Sequence, residues 1–242
     1  MTISDHCGLF GKVPQQAEFV SHFLPDEFTE YWHSWLQASL SVSREQLGDQ
    51  WLDYYLTSPI WCFAIMPGIM GPHGAAGIML PSVDEVGRYF PLTLMHLGDH
   101  HVWSAYLHGT DWYQSLEQVG LNALSETVSY MQLIGQFESL SIPEFPEIMG
   151  YNLQSALHST NTCYKVAQGE HTTQSLVFSL LNDIYQRSFN RYSLWWTKGS
   201  EYIDPCLLVS SDLPDAGQFA AMLDGRWQQW GWPEQLPLLK ES

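Results

Sequence analysis

A polar turn lies between two apolar segments in the middle of the chain. The sequence LPSVDEVGRYFPL, residues 80–92, contains Ser82, Asp84 and Arg88. These groups could hold a polar ligand, because a neighbouring arginine lowers the pKa of an aspartate. In the structural interpretation Asp84 caps the turn, Gly87 supplies a positive φ, and Arg88 pairs with a carboxylate or a carbonyl. Contact with a partner or ligand, and catalysis, stay open as alternatives.

A second group of polar residues could ligate a metal. The segment HLGDHH holds His96, Asp99, His100 and His101, and imidazole and carboxylate groups suit zinc or iron. However, adjacent residues of an extended strand point to opposite faces, so the side chains would not converge from one side. We interpret the segment as a polar loop at the end of a strand, and we predict no metal site and no cofactor.

Motifs for nucleophilic catalysis and nucleotide binding are missing or incomplete. The sequence has no G-x-S-x-G elbow, and Cys7 lies too close to His6 in sequence for the usual arrangement of catalytic partners. The pattern Gly8-x-x-Gly11-Lys12 lacks the spacing and the following Ser or Thr of a phosphate-binding loop. We therefore predict that the protein is not an enzyme, and we keep Lys12 as a candidate contact residue.

Charge and cysteine content limit the class of partner and the compartment. The 26 acidic side chains outnumber the 9 basic ones, and the formal net charge is -17. Such a surface repels phosphate backbones and anionic lipids, so we expect no nucleic-acid partner. The scattered cysteines and the absence of a signal-like N-terminus predict a reduced, cytoplasmic protein.

The uncharged run of residues 60–81 is long enough to span a bilayer. Glycine and proline residues between positions 67 and 77 divide it into two short apolar pieces. Pieces of this length, separated by residues typical of turns, predict two buried strands. We therefore expect no membrane insertion.

Periodicity predicts the elements that must position these residues. Helices are expected over 24–40, 44–56, from 110 towards 137, over 174–187 and over 215–225, and strands over 61–66, 77–80, 89–97, 191–199 and 205–213. The close spacing of the strands between 61 and 97 favours hairpins. We predict an α/β fold, a layered domain whose mainly antiparallel central sheet is flanked by helices. It is expected to span 1–242 as a single domain, with a candidate internal linker near 141–147.

The strand containing SLWWTKG places two tryptophans side by side. Trp195 and Trp196 should point to opposite faces of the sheet. One is expected in the core, while the other either packs under a helix or forms part of an interaction surface. We keep Trp196 as a candidate for partner contact.

Several blocks of the sequence resemble the TagF-like family, the ImpM-type accessory proteins of bacterial type VI secretion. They are GLFGKVPQQAEFVSHFLP (8–25), WLDYYLTSPIWCFAIMPGIMGP (51–72), LPSVDEVGRYFPLTL (80–94), SLWW and FAAMLDGRW. The chain departs from the family pattern at residues 16–19, where Gln-Ala-Glu-Phe stands in place of the more typical Gly-Asp-Phe. PSVDEVGRYFPL is similar to the family's signature turn and strand.

The resemblance implies a longin- or profilin-like sheet and a cytoplasmic accessory that restrains type VI secretion after translation. It implies secretion components as partners, among them the forkhead-associated scaffold protein. Candidate contact residues are Lys12, Ser82, Asp84, Arg88 and Trp196. Two alternatives stay open: a structural assembly subunit of the apparatus, and a small-molecule-binding enzyme that uses Ser82, Asp84, Arg88 and the histidine segment.

Overall fold

Seven strands form the central sheet of the computed structural model, which describes residues 6–125, 127–146 and 173–233. The strands are β1 (Gly8–Gly11), β2 (Val20–His22), β3 (Trp61–Ile65), β4 (Gly74–Leu80), β5 (Leu92–Gly98), β6 (Ser193–Thr197) and β7 (Cys206–Ser210). Their order across the sheet is β2-β1-β5-β4-β3-β6-β7, and every neighbouring pair is antiparallel. The predicted antiparallel sheet is confirmed.

Helices cover both faces of this sheet. They are α1 (Asp26–Leu47), α2 (Trp51–Leu56), α3 (Val102–His108), α4 (Thr110–Ala123), α5 (Tyr130–Glu138), α6 (Thr173–Phe189) and α7 (Ala221–Asp224). Residues of α1, α2 and α7 pack in one hydrophobic cluster on the first face, and residues of α3 to α6 pack in another on the second. The layered α/β fold is confirmed.

Alternation along each strand supplies both clusters. In β3 the side chains of Trp61 and Phe63 belong to the first cluster, and that of Cys62 belongs to the second. Successive residues of a strand point to opposite faces, so a strand covered on both sides is apolar at nearly every position. The same alternation places Trp195 on the first face and Trp196 on the second, as predicted.

Several predicted helix boundaries differ from the structure. The helix expected over 44–56 begins only at Trp51, and the one expected over 215–225 covers only Ala221–Asp224. The first helix continues to Leu47, where Gly48 ends it with a φ of 54°, and a short 3-10 turn leads into α2. The expected long helix from Thr110 towards Phe137 is two helices. Ser129 starts the second one with a capping box, accepting from the main-chain N–H of Gln132 at 3.3 Å.

Periodicity missed three short elements and misplaced the starts of two strands. Strands β1 and β2 and helix α3 were not predicted, β4 begins at Gly74 instead of Gly77, and β5 begins at Leu92 instead of Tyr89. Pro91 has no N–H to donate to a ladder, and the residues before it form the polar turn, in which Tyr89 bridges to Val83. Three- and four-residue strands are too short to show a clear alternation.

The uncharged run of residues 60–81 is resolved into β3, a loop and β4, as predicted. Among the described residues, none of the helices has both the length and the apolar character that crossing a membrane requires.

The candidate linker packs against the second face as far as it is described. The carbonyl of Ser141 accepts a hydrogen bond of 3.0 Å from Trp112 Nε1, and the ring of Phe145 lies 5.7 Å from that of Trp112. The strands that follow the linker in sequence, β6 and β7, belong to the same sheet as the five earlier strands and lie next to β3. The single-domain organisation of 1–242 stays a prediction.

Candidate functional site

The polar turn has the local geometry predicted from its sequence. Asp84 Oδ1 accepts hydrogen bonds from the main-chain N–H groups of Val86 at 3.1 Å and Arg88 at 2.7 Å. Gly87 has a φ of 83°, a conformation that side chains disfavour. Asp84 therefore caps the turn, and Arg88 Nε donates to Asp84 Oδ2 at 2.6 Å.

A lysine distant in sequence completes this turn. The ammonium of Lys12 donates to Asp84 Oδ2, so one carboxylate oxygen receives both cations. The Asp84 side chain is fully buried and that of Lys12 nearly so, whereas the side chain of Arg88 is 54% exposed. We call Lys12, Ser82, Asp84 and Arg88 the Asp84 cluster.

Strand pairing brings the cluster together. Leu80, at the end of β4, pairs with Leu92, at the start of β5, and Phe10 of β1 pairs with Thr93 of β5. Lys12 directly follows β1, so it lies beside the turn that joins β4 to β5. The antiparallel register thus fixes a contact between residues that are 72 positions apart.

Ser82 and Tyr55 connect the cluster to the surrounding backbone. Ser82 Oγ donates to the carbonyl of Lys12 at 2.7 Å. The hydroxyl of Tyr55 donates to the carbonyl of Ser82 at 2.8 Å and accepts from its N–H at 3.0 Å. Burial raises the pKa of Tyr55 above its usual value, so this hydroxyl stays protonated. These bonds hold the turn against the end of α2.

The charges of the cluster stabilise the ionised form of Asp84. Burial alone would raise the pKa of this carboxyl, but hydrogen bonds from Lys12 and Arg88 outweigh it and hold the pKa well below its usual range. The carboxylate is therefore ionised at every pH at which the protein is expected to work. It serves as an anionic acceptor, and proton transfer at neutral pH is not open to it.

This shift predicts how stability depends on pH. Ionised Asp84 stabilises the folded state fully above the unfolded pKa of about 3.9, and the contribution is lost as the pH falls through the lower folded value. In urea unfolding, the free-energy gap between wild type and Asp84→Asn should be constant from about pH 7 to 5 and smaller by about 1 kcal/mol at about pH 3. A gap that widens on acidification would contradict this assignment.

The loop before β2 contributes groups that sequence reasoning missed. The carbonyl of Ala17 accepts from Lys12 Nζ at 3.5 Å and from Arg88 Nη2. Lys12 Nζ also lies 4.5 Å from the centre of the Phe19 ring, within the range of a cation–π contact. This loop is the segment in which the sequence departs from the family pattern, and that departure was the only signal of its role.

The exposed rim of the cluster is apolar and aromatic. Phe19 is 41% exposed, and its ring centre lies 4.8 Å from that of Phe90 and 5.1 Å from that of His33. Val86, at the tip of the turn, is 64% exposed. Because Lys12, Ser82 and Asp84 are buried, Arg88 is the one predicted site residue of the cluster that offers its side chain to solvent.

The histidine segment lies at the other end of the sheet. It lies where the end of β5 pairs with the start of β4, at Gly98 and Gly74. The polar turn lies at the opposite ends of these strands, after Leu80. His96 Nδ1 and His100 Nε2 are 2.7 Å apart. Burial, followed by the nearby His96, lowers the pKa of His100 to about 4 against the opposing effect of Asp99. The segment and the Asp84 cluster therefore do not share a site.

Within the described part of the chain, no three His, Cys, Asp or Glu side chains form a group that could hold a metal ion.

Trp196 is also separate from the Asp84 cluster. It lies on β6, near the opposite edge of the sheet from β1, and faces α3 and α4. Its ring centre is 5.2 Å from that of Tyr106 and 4.8 Å from that of Tyr113. Sequence reasoning thus grouped residues that form two distinct places, one around Asp84 and one around Trp196.

Comparison with known proteins gives the family. Residues 8–140 match the model of the TagF N-terminal domain, described as type VI secretion system-associated, and this range includes the whole Asp84 cluster. The PA0076 protein from Pseudomonas aeruginosa PAO1, known from its crystal structure, is 31% identical, with 98% of this chain and 99% of that chain covered and a TM-score of 0.76. No curated protein matches. The chain therefore belongs to the TagF family of type VI secretion system-associated proteins.

Proposed function

We propose that this protein is a non-enzymatic negative regulator of type VI secretion, which acts after translation by binding a scaffold or assembly component. Family membership supports the accessory role. The forkhead-associated scaffold protein is the candidate partner, and the cytoplasm is the proposed compartment. One observation supports this mechanism. The ion pair at the centre of the Asp84 cluster is buried, and the apolar and cationic side chains around it are exposed.

We define this rim, Phe19, Val86 and Arg88, as the turn surface. All three side chains are substantially exposed, and the buried ion pair of Lys12 with Asp84 fixes the backbone from which they project. Aromatic and arginine side chains on a rigid support are the groups that most often dominate protein interfaces. In this proposal Lys12, Ser82 and Asp84 position the surface, and Arg88 contacts the partner.

The chemistry of the cluster supports a role without catalysis. Asp84 accepts hydrogen bonds on both oxygens, and Ser82 Oγ donates to a main-chain carbonyl instead of to a base. Burial raises the pKa of the Cys7 thiol to about 11 and, with a smaller effect of Glu117, that of Cys62 to about 12. Neither thiol is a nucleophile at neutral pH, since the thiolate is the reactive form.

Val86→Glu is expected to abolish repression without unfolding the protein. The substitution places a charge at the exposed tip of the turn surface and leaves the main-chain bond from residue 86 to Asp84 in place. A charge at the centre of an interface typically weakens binding by about tenfold or more. The measurement is the amount of tube protein secreted by cells that overproduce the variant, together with its co-purification with the forkhead-associated scaffold protein.

Ile184→Glu is the matched control, because Ile184 is 53% exposed on α6, on the second face. This variant should repress secretion as strongly as wild type. If Val86→Glu is folded and still represses fully, the turn surface is not the contact.

The two alternative functions make other predictions. An assembly subunit would be required for secretion, whereas a repressor would not. The enzyme alternative needed the histidine segment beside Asp84, and that segment lies at the other end of β4 and β5.

A further inference from the structure

A small pocket lies on the second face of the sheet, away from the Asp84 cluster. The described residues enclose a volume of about 110 Å³ between β6 and the helices α3 and α4. Its lining is Cys62, Tyr106, Thr110, Tyr113, Gln114, Glu117, Trp196 and Lys198. Pockets for nucleotides or drug-sized molecules usually measure about 300–1,000 Å³, so only a small head group fits here.

Three aromatic rings form the walls of this pocket. The ring of Trp196 meets that of Tyr106 at 82° and that of Tyr113 at 75°, with centres 5.2 and 4.8 Å apart. Tyr113 is held in place, because its buried hydroxyl donates to the carbonyl of Phe63 at 2.9 Å. All three residues line the pocket, and an aromatic ring attracts a cation that lies over its face.

A carboxylate at the rim already binds an ammonium group. Glu117 Oε2 accepts a hydrogen bond of 2.7 Å from the ammonium of Lys198. The Glu117 side chain is largely buried, whereas that of Lys198 is 70% exposed and is held at its ammonium by Glu117. Because the ammonium of Lys198 is held by a mostly exposed side chain, the pair gains little, typically below about 1 kcal/mol, and another cation can displace Lys198.

We propose that this pocket binds an alkylammonium group, which packs against the rings of Trp196, Tyr106 and Tyr113 and pairs with Glu117 in place of Lys198. The aromatic walls supply the cation–π attraction and the apolar contact for the methyl or methylene groups. The Cys62 thiol, which also lines the pocket, stays neutral, so Glu117 is the anionic group among the lining residues. This inference is independent of the regulatory role proposed above.

Isothermal titration calorimetry of the full chain with choline tests the proposal. The uncharged isostere 3,3-dimethylbutan-1-ol has the same shape, and it should bind at least about tenfold more weakly, because it lacks the charge that the rings and Glu117 recognise. Trp196→Leu should abolish choline binding. Glu117→Gln, which keeps the shape of the side chain, should weaken it by about fivefold or more. Lys198→Ala should strengthen it by about threefold.

Trp230→Leu is the control, since this half-buried tryptophan packs against the first-face cluster; its choline affinity should equal that of wild type. N-acetyl-lysine methylamide distinguishes the two sources of the group. Tighter binding of choline assigns the pocket to a free quaternary amine, and tighter binding of the lysine derivative assigns it to a partner's lysine. If neither binds, or if choline affinity is unchanged in Glu117→Gln and Trp196→Leu, the proposal is wrong.

Discussion

Replacing Asp84 by alanine is expected to lower the free energy of unfolding by about 3–5 kcal/mol. The substitution removes the acceptor of Lys12 and Arg88 and of two main-chain N–H groups in the turn. Arg88 can turn to solvent, but Lys12 is buried and would keep an uncompensated charge. The measurement is equilibrium unfolding in urea at pH 7, with circular dichroism as the signal.

Asp183→Ala is the matched control for this loss. Asp183 pairs with Arg187 on the surface of α6 through bonds of 2.6 and 3.1 Å. Exposed pairs one helical turn apart contribute about 0.3–0.5 kcal/mol, so this variant should be nearly as stable as wild type. The double variant Lys12→Met with Asp84→Ala should recover part of the loss, because no unpaired charge then stays buried. Equal losses for Asp84→Ala and Asp183→Ala would contradict a buried, strongly coupled cluster.

Trp32→Ala is expected to cost about 3–5 kcal/mol of stability. Trp32 is fully buried on α1 and packs against the rings of Phe63 and Trp195, with ring centres 5.2 and 6.2 Å away. Its Nε1 donates to Thr93 Oγ1 at 3.0 Å. Truncation leaves a large cavity on the first face of the sheet, and the Thr93 hydroxyl loses its hydrogen bond from Trp32. Urea unfolding under the same conditions measures the effect.

The adjacent residue on the same helix provides the control. Tyr31 is 45% exposed, so Tyr31→Ala should change the free energy of unfolding by less than about 1 kcal/mol. If Trp32→Ala lowers the free energy of unfolding as little as Tyr31→Ala does, the packing of α1 against the sheet contributes much less to stability than its buried contacts indicate.

Much of the fold follows from local pattern. The stripe that includes Trp32 and Leu36 predicted α1, because burial on one face imposes a period on the sequence. The unbroken apolar run that begins at Trp61 predicted β3, because a strand covered on both faces is apolar at consecutive positions. The ends were less predictable. The start of β5 depends on Pro91 and on the bridge of Tyr89 to Val83, which together displace the strand by several residues.

The site was only partly predictable for a different reason. The cap by Asp84 and the positive φ of Gly87 are local, and they follow from the residue types of the turn. The ion pair of Lys12 with Asp84 depends on the pairing of β1 with β5, and no spacing in the sequence encodes that register. For the same reason, Trp196 could not be separated from the cluster before the strand order was known.

Family membership and the buried Asp84 cluster support different parts of the proposal. The family places the protein with type VI secretion, and the cluster explains how a short turn can present Val86 and Arg88 on a rigid support. The direction of the effect on secretion is the step that we propose. An assembly subunit and a repressor would both bind components of the apparatus, but they differ in the sign of the deletion phenotype.

The most direct measurement is therefore the amount of tube protein secreted by cells that lack this gene and by cells that overproduce it. The repressor proposal predicts that secretion rises on deletion and falls on overproduction, and that Val86→Glu fails to lower it. Secretion lost on deletion would contradict the proposal and would make the protein an assembly subunit of the apparatus.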